Sequence, residues 1–474
     1  MFASYKLIIY SRNYYLLKGY FCINFFKTMN RNIISGFSKL NKHAKLELVG
    51  SRFENSEQVI EDLKSYWHDD PAKQKLFDEF SENTISNFYF PYGIAPNFLI
   101  NGKSYLVPMV IEESSVVAAA SNGAKFWSEK GGFRSEVIAT SKVGQVHFIW
   151  KGEVEKLQAL FPLLKRNLIE GAKHHTESME KRGGGILDIE LVDMTDEIEN
   201  YYQLMATFET VDAMGANFIN SCLEDFADIL KMHFRENEHY DGEEKNCRVI
   251  MAILSNYTPE CLVKTEIECS VECLRKTGEI DDPEDFVWKF EKAVQIAKVD
   301  THRAATHNKG IFNGIDAVAL ATGNDFRAIE AGGHAYAARD GKYRSLSDVD
   351  ISGGKFKYSL TVPLSMGTVG GLTALHPLAR FSLDLLGSPT APELMMIAAS
   401  VGLANNFGAI KSLVTKGIQM GHMKMHLLNI LNSFDLSERE KKLAIAHFAN
   451  YKVSHTSVKQ FVESLRKEAP IEKY

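Results

Sequence analysis

Four apolar stretches, VGQVHFIW (residues 143–150), ILDIELVDM (186–194), NYYQLMATFETV (200–211) and CRVIMAILSN (247–256), are separated by two helical patterns. One helix runs from Glu155 to about Glu177 and the other follows Gly215. Each stretch is short and rich in β-branched and aromatic residues, as expected of strands. The order strand, helix, strand, strand, helix, strand is that of a split βαβ sandwich. It predicts an inserted module over residues 140–255. After Gly215, Phe218, Cys222, Phe226, Ile229 and Leu230 recur on one face, which turns that helix onto the sheet.

On the N-terminal side, Asn101-Gly102 between short apolar runs marks a hairpin. Small residues after Ser114 and Ser115, ending before Gly131-Gly132, predict a tightly packed interior helix. Residues 29–83 have helical spacing, with Val59, Ile60, Leu63 and Tyr66 on one side. On the C-terminal side lie a helix from Glu284 to Ala297, a segment dense in Gly, Asn and His from His302 to His334, and strand pairs near Tyr358–Val362. A glycine cluster at 367–371 follows, then mostly helices.

At roughly 100–200 residues per domain, 474 residues make several structural units. A composition of 45% hydrophobic and 24% charged residues is that of a globular chain and excludes extensive disorder. The 54 Lys and Arg against 60 Asp and Glu give a net charge of −6, which argues against nucleic acid as the main partner. The six cysteines form no CxxC pair and read as reduced, mostly buried thiols of a cytoplasmic protein. No run of 18 uninterrupted apolar residues supports a membrane span. The first 28 residues lack the clean apolar region and cleavage site of a signal peptide. They read as an over-extended start before Met29 or as a tail.

Several stretches carry candidate chemistry. His302–Asp316 and Ala321–Glu330 gather Arg303, His307, Asn308, Lys309, Asn313, Asp325 and Arg327 among small residues. Lys309, between Asn308 and Gly310 and next to Ile311 and Phe312, has the setting of a partly desolvated ammonium able to stabilise an oxyanion. Glu112 and Glu113 precede the small-residue helix. Two carboxylates there complement a helix dipole, or one of them lies behind apolar neighbours as a proton donor, and the pattern does not choose between them. Asp212-Ala-Met-Gly-Ala-Asn217, after a strand and opening a helix, lets backbone N–H groups approach a pyrophosphate. The chain has no GxGxxG, so a Rossmann fingerprint is absent. His422 and His426 are four apart, but the HExxH glutamate is missing and no further His or Cys is suggestively spaced. No metal is expected, and His422 reads as a general acid or a surface histidine.

Six motifs occur in series: ENxxxxFxxPxGIAxNFxINGKxYLVPMxxEExSVVAAAS from Glu82, DAMGAN from Asp212, RAATHNKGIxNGID from Arg303, ATGND from Ala321, GTVGG from Gly367 and GIQxGHM from Gly417. Together they resemble the bacterial, soluble class of 3-hydroxy-3-methylglutaryl-CoA reductase over about residues 35–470. The resemblance implies an α+β fold that is not Rossmann. A large substrate domain (29–139 and 256–418) holds an inserted ferredoxin-like, split βαβ, dinucleotide-binding domain (140–255), and a helical flap (419–474) follows. It implies a homodimer, or an assembly of dimers, with active sites at the subunit interface.

Carried over position by position, Glu113 matches the catalytic glutamate and Lys309 the lysine that polarises the carbonyl. Asp325 matches the aspartate that holds Lys309 and Glu113 in one network, and His422 the acid that protonates the departing thiolate. Arg303 and Ser115 correspond to residues binding the substrate carboxylate, with Asn313 and Asn256 lining that site. Asp212, Met214, Gly215, Ala216 and Asn217 match the dinucleotide-binding loop. The implied reaction reduces 3-hydroxy-3-methylglutaryl-CoA to mevalonate and CoA with two NAD(P)H, or runs oxidatively with NAD in mevalonate catabolism.

The chain departs from the family at Ser114, where Pro is common, and at Ser86, where Gly is. An arginine that meets the CoA phosphates is missing near Phe37, leaving Lys39 or Lys42 to replace it. NADH-using members carry an aspartate seven residues before a triple glycine. Here the triplet is Gly183–Gly185 and that position is Thr176, with Lys173, His174 and His175 nearby, which favours NADPH.

Overall fold

A computed structural model of the chain describes residues 33–275, 280–415, 427, 430–448, 451 and 453–468. Residues 1–28, His422, His426 and the motif from Gly417 lie outside them, as does part of the expected flap. Two compact units divide the chain between Tyr89 and Phe90.

The first unit contains helices α1 (Lys42–Gly50), α2 (Ser56–Lys64) and α3 (Pro71–Asp78). Asn41 caps α1 by accepting from Ala44 N, and Asp70 caps α3, with Pro71 in the first helical turn. The Lys42 amine is engaged with Asp78 at 2.7 Å and lies over the Trp67 ring. Of the two lysines expected to meet CoA phosphates, Lys39 is the exposed one.

The second unit opens with a hairpin, β1 (Tyr92–Ile100) and β2 (Lys103–Val110). Asn101 and Gly102 turn it with φ of 49° and 81°, the left-handed pair that an Asn-Gly turn requires. Next come α4 (Ser114–Ser128), β3 (Arg134–Val137), β4 (Lys142–Ile149), α5 (Val154–Gly171), α6 (Lys173–Glu180), β5 (Gly185–Asp193), β6 (Tyr201–Glu209), α7 (Ala216–Glu236) and β7 (Arg248–Leu254). The chain continues through β8 (Leu262–Ser270), α8 (Pro283–Val299), α9 (Thr301–Ala321), α10 (Phe326–Ala337), β9 (Ser347–Asp350) and β10 (Lys355–Pro363). It ends in α11 (Pro377–Leu385), α12 (Ala391–Val414), α13 (Glu438–Phe448) and α14 (His455–Glu468).

Strands β5-β6-β4-β7 form an antiparallel sheet in that spatial order, which is the split βαβ topology read from the sequence. Its core contains Val146, Phe148, Trp150, Leu204, Phe208, Leu223, Phe226, Leu230 and Phe234. A second antiparallel sheet, β3-β8-β10-β9, packs in a larger core with α4, α9 and α12. Near the C-terminus, Leu431, Ala444, Phe448, Val458 and Val462 share a small core of their own.

Helix α12 is long and apolar enough to cross a membrane, yet 78% of its most apolar window is buried in the fold, as befits a core helix. The five described cysteines form no disulfide. Burial pushes the Cys222 and Cys247 thiols up to about 12 and those of Cys261 and Cys269 up to about 11.

The segment from His302 to His334, dense in Gly, Asn and His, is two helices, α9 and α10. Tertiary packing overrides weak propensity here. A Cβ on Gly314 would lie 2.7 Å from the Val401 carbonyl oxygen, so only glycine lets α9 approach α12. Gly123 of α4 meets the Ala404 carbonyl in the same way, at 2.8 Å.

His307 is buried on α9 with Nε2 hydrogen-bonded to the Ser347 hydroxyl at 2.7 Å. Burial, with Arg303 beside it, holds its pKa down at about 3, so it stays neutral in the fold while the unfolded chain protonates near 6.5. Its contribution is therefore full above pH 6.5 and lost as pH falls toward 3. Lowering pH from 7 to 5 is expected to cost about 2 kcal/mol through this group. Denaturant unfolding at the two pH values checks this, and His307→Gln should show a shallower loss.

Candidate active site

Helices α4 and α9 are both seated on α12, and this brings Glu113 and Lys309 together. Lys309 Nζ lies 3.8 Å from Glu113 Oε2. Glu113 is the N-cap residue of α4, yet its side chain makes no capping hydrogen bond. It accepts instead from the Ser115 hydroxyl and faces the ammonium. The carboxylate is thus available for chemistry rather than committed to the helix end. It is about half-exposed, not sheltered behind apolar neighbours as the sequence reading allowed. Asn313 lies one turn along α9 on the face of Lys309. Arg303 sits six residues earlier, about a third of a turn round from that face. Burial lowers its pKa, and among the described residues no carboxylate pairs with it. A half-desolvated guanidinium of this kind suits an incoming carboxylate. Asn256 is exposed beyond β7, its carbonyl oxygen 2.6 Å from where a Cβ on Gly332 would stand.

A second constellation surrounds a cavity of about 390 Å³ lined by residues 213–218, 323–325, 367 and 369–373. Gly215 precedes α7 with φ 90°, and a Cβ there would strike the Thr210 side chain at 2.4 Å. The first backbone N–H groups of α7 and its dipole are of the kind that suits a phosphate-bearing ligand. Asn324 and Gly367 exchange two hydrogen bonds (2.8 and 3.0 Å), while Thr368 N donates to Asp212 O at 2.8 Å. These bonds hold the glycine cluster against the loop. A Cβ on Gly367 would stand 2.4 Å from Met214 N, so glycine is needed for that approach. Beneath the loop, the buried Lys142 amine bonds Thr210 Oγ1 at 2.5 Å and reaches Ala213 O at 3.4 Å. Sequence reading missed this lysine because its neighbours in the strand are ordinary.

Asp325 belongs to this second constellation. It caps α10 through Arg327 N and Ala328 N and pairs with the Arg327 guanidinium. Burial pushes its pKa up, but the Arg327 and backbone N–H bonds outweigh that and hold it below the usual carboxylate value. Asn324 N donates to Ala319 O, which sets Asp325 near the level of Ala319 on α9. Lys309 is ten residues earlier on the same helix, about 15 Å along its axis at 1.5 Å per residue. A lysine and an aspartate side chain do not bridge that span. The expected network of Lys309, Glu113 and Asp325 is therefore not formed within one chain.

Two further expectations change. The Asp212 carboxylate accepts from Ala391 N at 2.7 Å, at the start of α12, so it anchors the loop while Ala213–Phe218 face the cavity. In α6, the buried Thr176 donates to Glu180 at 2.5 Å, Lys173 pairs with Glu170, and His174 and His175 face Asp225. All three side chains thus face carboxylates of the fold rather than an open 2′-phosphate position. Glu180 lies beside Gly185, a carboxylate the sequence reading did not weigh.

A family model described as hydroxymethylglutaryl-coenzyme A reductase matches residues 43–427. The 3-hydroxy-3-methylglutaryl-coenzyme A reductase of Archaeoglobus fulgidus is 37% identical, over 84% of this chain and 86% of its own. A probable reductase of the same name from Borreliella burgdorferi is 31% identical, over 87% and 92%. Among solved structures, the class II reductase of Streptococcus pneumoniae bound to NADPH in open conformations is similar, with a TM-score of 0.65 and 36% identity. That match covers 80% of this chain and 99% of the other.

Proposed function

The chain belongs to the hydroxymethylglutaryl-coenzyme A reductase family, whose members reduce 3-hydroxy-3-methylglutaryl-CoA to mevalonate, and from that premise we propose how its residues divide the reaction. It is an oxidoreductase of the mevalonate pathway. In this reading the thioester is reduced twice, through a hemithioacetal and an aldehyde, in the direction of mevalonate. The nicotinamide cofactor supplies a hydride for each reduction.

Both reductions place negative charge on the same oxygen, and the Lys309 ammonium stabilises it both times. Glu113, hydrogen-bonded by Ser115 and next to Lys309, supplies the proton. Arg303 takes the free carboxylate of the acyl group, and Asn313 orients the substrate beside Lys309. The N–H groups opening α7 hold the cofactor phosphates. His422, outside the described residues, protonates the CoA thiolate.

Each site is completed by two copies of the chain. One copy brings Glu113 and Lys309, and its partner brings Asp325 and the cavity at the head of α7. The observation that carries this is the separation of about 15 Å along α9, which leaves each half incomplete alone.

NADPH is the proposed cofactor, since Thr176 stands where NADH-using relatives have an aspartate. Initial rates with NADPH and NADH in both directions test this. A kcat/KM at least tenfold higher for NADPH is expected, with a smaller margin if Glu180 repels a 2′-phosphate. Preference for NADH would support the oxidative role instead. Glu180→Gln should widen the NADPH margin severalfold by removing a like charge.

A further inference from the structure

The first turn of helix α6 carries two adjacent histidines whose rings lie 4.0 Å apart between centroids, tilted by 39°. Both bring Nε2 close to one atom, Asp225 Oδ2 on α7, at 3.3 Å from His174 and 3.2 Å from His175. That oxygen is screened from solvent and has no hydrogen-bond partner, so neither imidazole approaches it in donating geometry. The His174 Nδ1 lies 3.1 Å from the Gly171 carbonyl oxygen. A carbonyl only accepts, so Nδ1 carries the proton, and in the neutral ring Nε2 presents its lone pair. A bare nitrogen then faces a desolvated carboxylate oxygen. Two acceptors in that position repel unless a cation lies between them.

We propose that His174, His175 and Asp225 form a binding site for a divalent transition-metal ion of the zinc class. Bonds of about 2.0–2.1 Å to tetrahedral ligands set neighbouring donor atoms about 3.3 Å apart, which is the spacing of each imidazole from the carboxylate, and the three donor atoms all lie within 4.8 Å of one another. Two imidazoles and one carboxylate with an open fourth position are a familiar donor set for such an ion. The Gly171 carbonyl supplies the outer hydrogen bond that fixes the tautomer of a ligating histidine. His174 is exposed enough to admit the ion, with 63% of its side chain accessible.

The ion would clip α6 to α7. Helix α6 leads into Gly183–Gly185, and α7 opens on the cavity loop, so the clip stiffens the dinucleotide half without touching Lys309 or Glu113. No spacing rule reveals such a site, because two ligands are neighbours and the third comes from another helix.

The test is zinc titration of chelator-stripped, full-length protein by calorimetry. It is paired with X-ray absorption of the zinc-loaded form and with thermal melts with and without zinc. One ion per chain is expected, with an N/O shell near 2.0–2.1 Å that includes imidazole scattering, and with a raised Tm. Asp225→Asn and His175→Ala should each weaken binding at least tenfold and abolish the rise in Tm. His174→Ala, the most exposed of the three, serves if either of those folds poorly. Sub-stoichiometric zinc, or binding and melting shifts that survive these substitutions, would overturn the proposal. So would pH-dependent melting that the variants remove while zinc has no effect, because the cation would then be a proton.

Discussion

Lys309→Ala is expected to lower kcat about 10³-fold while leaving the KM for the nicotinamide cofactor within about threefold of wild type. Loss of one preorganised donor at a developing oxyanion costs roughly 10²–10³ in rate. Here the same ammonium acts in two successive reductions and is paired with the proton donor at 3.8 Å. Removing it also leaves Glu113 without its partner cation. Steady-state kinetics with both substrates check this. The cofactor KM should hold because the cavity at the head of α7 is lined by loop and glycine-cluster residues and not by Lys309. A loss of less than tenfold would remove Lys309 from the chemistry.

Gly367→Val should act on the opposite half, raising the cofactor KM at least tenfold while shifting the KM for the acyl-CoA far less. The first side-chain carbon would stand 2.4 Å from Met214 N and 3.1 Å from Asp212 O, both backbone atoms with no rotamer to yield. The loop must then move off the Asn324–Gly367 hydrogen bonds that hold it. Gly408→Ala, where a Cβ meets nothing closer than 3.7 Å, is the control and should change neither constant. Equal effects on both KM values would mean that the two halves are not independent.

The split βαβ order was legible because each strand is a short β-branched and aromatic run, and the Asn101-Gly102 turn was legible because few dipeptides accept that backbone. Helix α9 was harder to read. Its Gly310 and Gly314, with Asn308, Asn313 and two histidines, have poor intrinsic propensity, and the close approach to α12 that makes them useful is a tertiary fact. Lys309 and Glu113 stand out by residue type, but the setting misleads, since the Lys309 side chain is 65% exposed rather than partly desolvated, and the choice of Glu113 over Glu112 came from family resemblance. Linear motifs carry no information on which copy of a chain supplies which group. Asp325 therefore seemed to join Lys309, although α10 runs back along α9 with its capped end far from that lysine. Asp212 likewise reads as a ligand-binding residue until Ala391 N is seen to hold its carboxylate.

The claim that two copies complete one another's sites is tested most directly by pairing two crippled chains. Lys309→Ala and Asp325→Asn are each expected to be nearly inactive alone. Co-expressed with different tags and purified as the hybrid, a symmetric dimer has one site with both defects and one with neither. About half of the wild-type activity per dimer should return. A hybrid no more active than either parent would place Lys309 and Asp325 in the same chain's site and contradict the account.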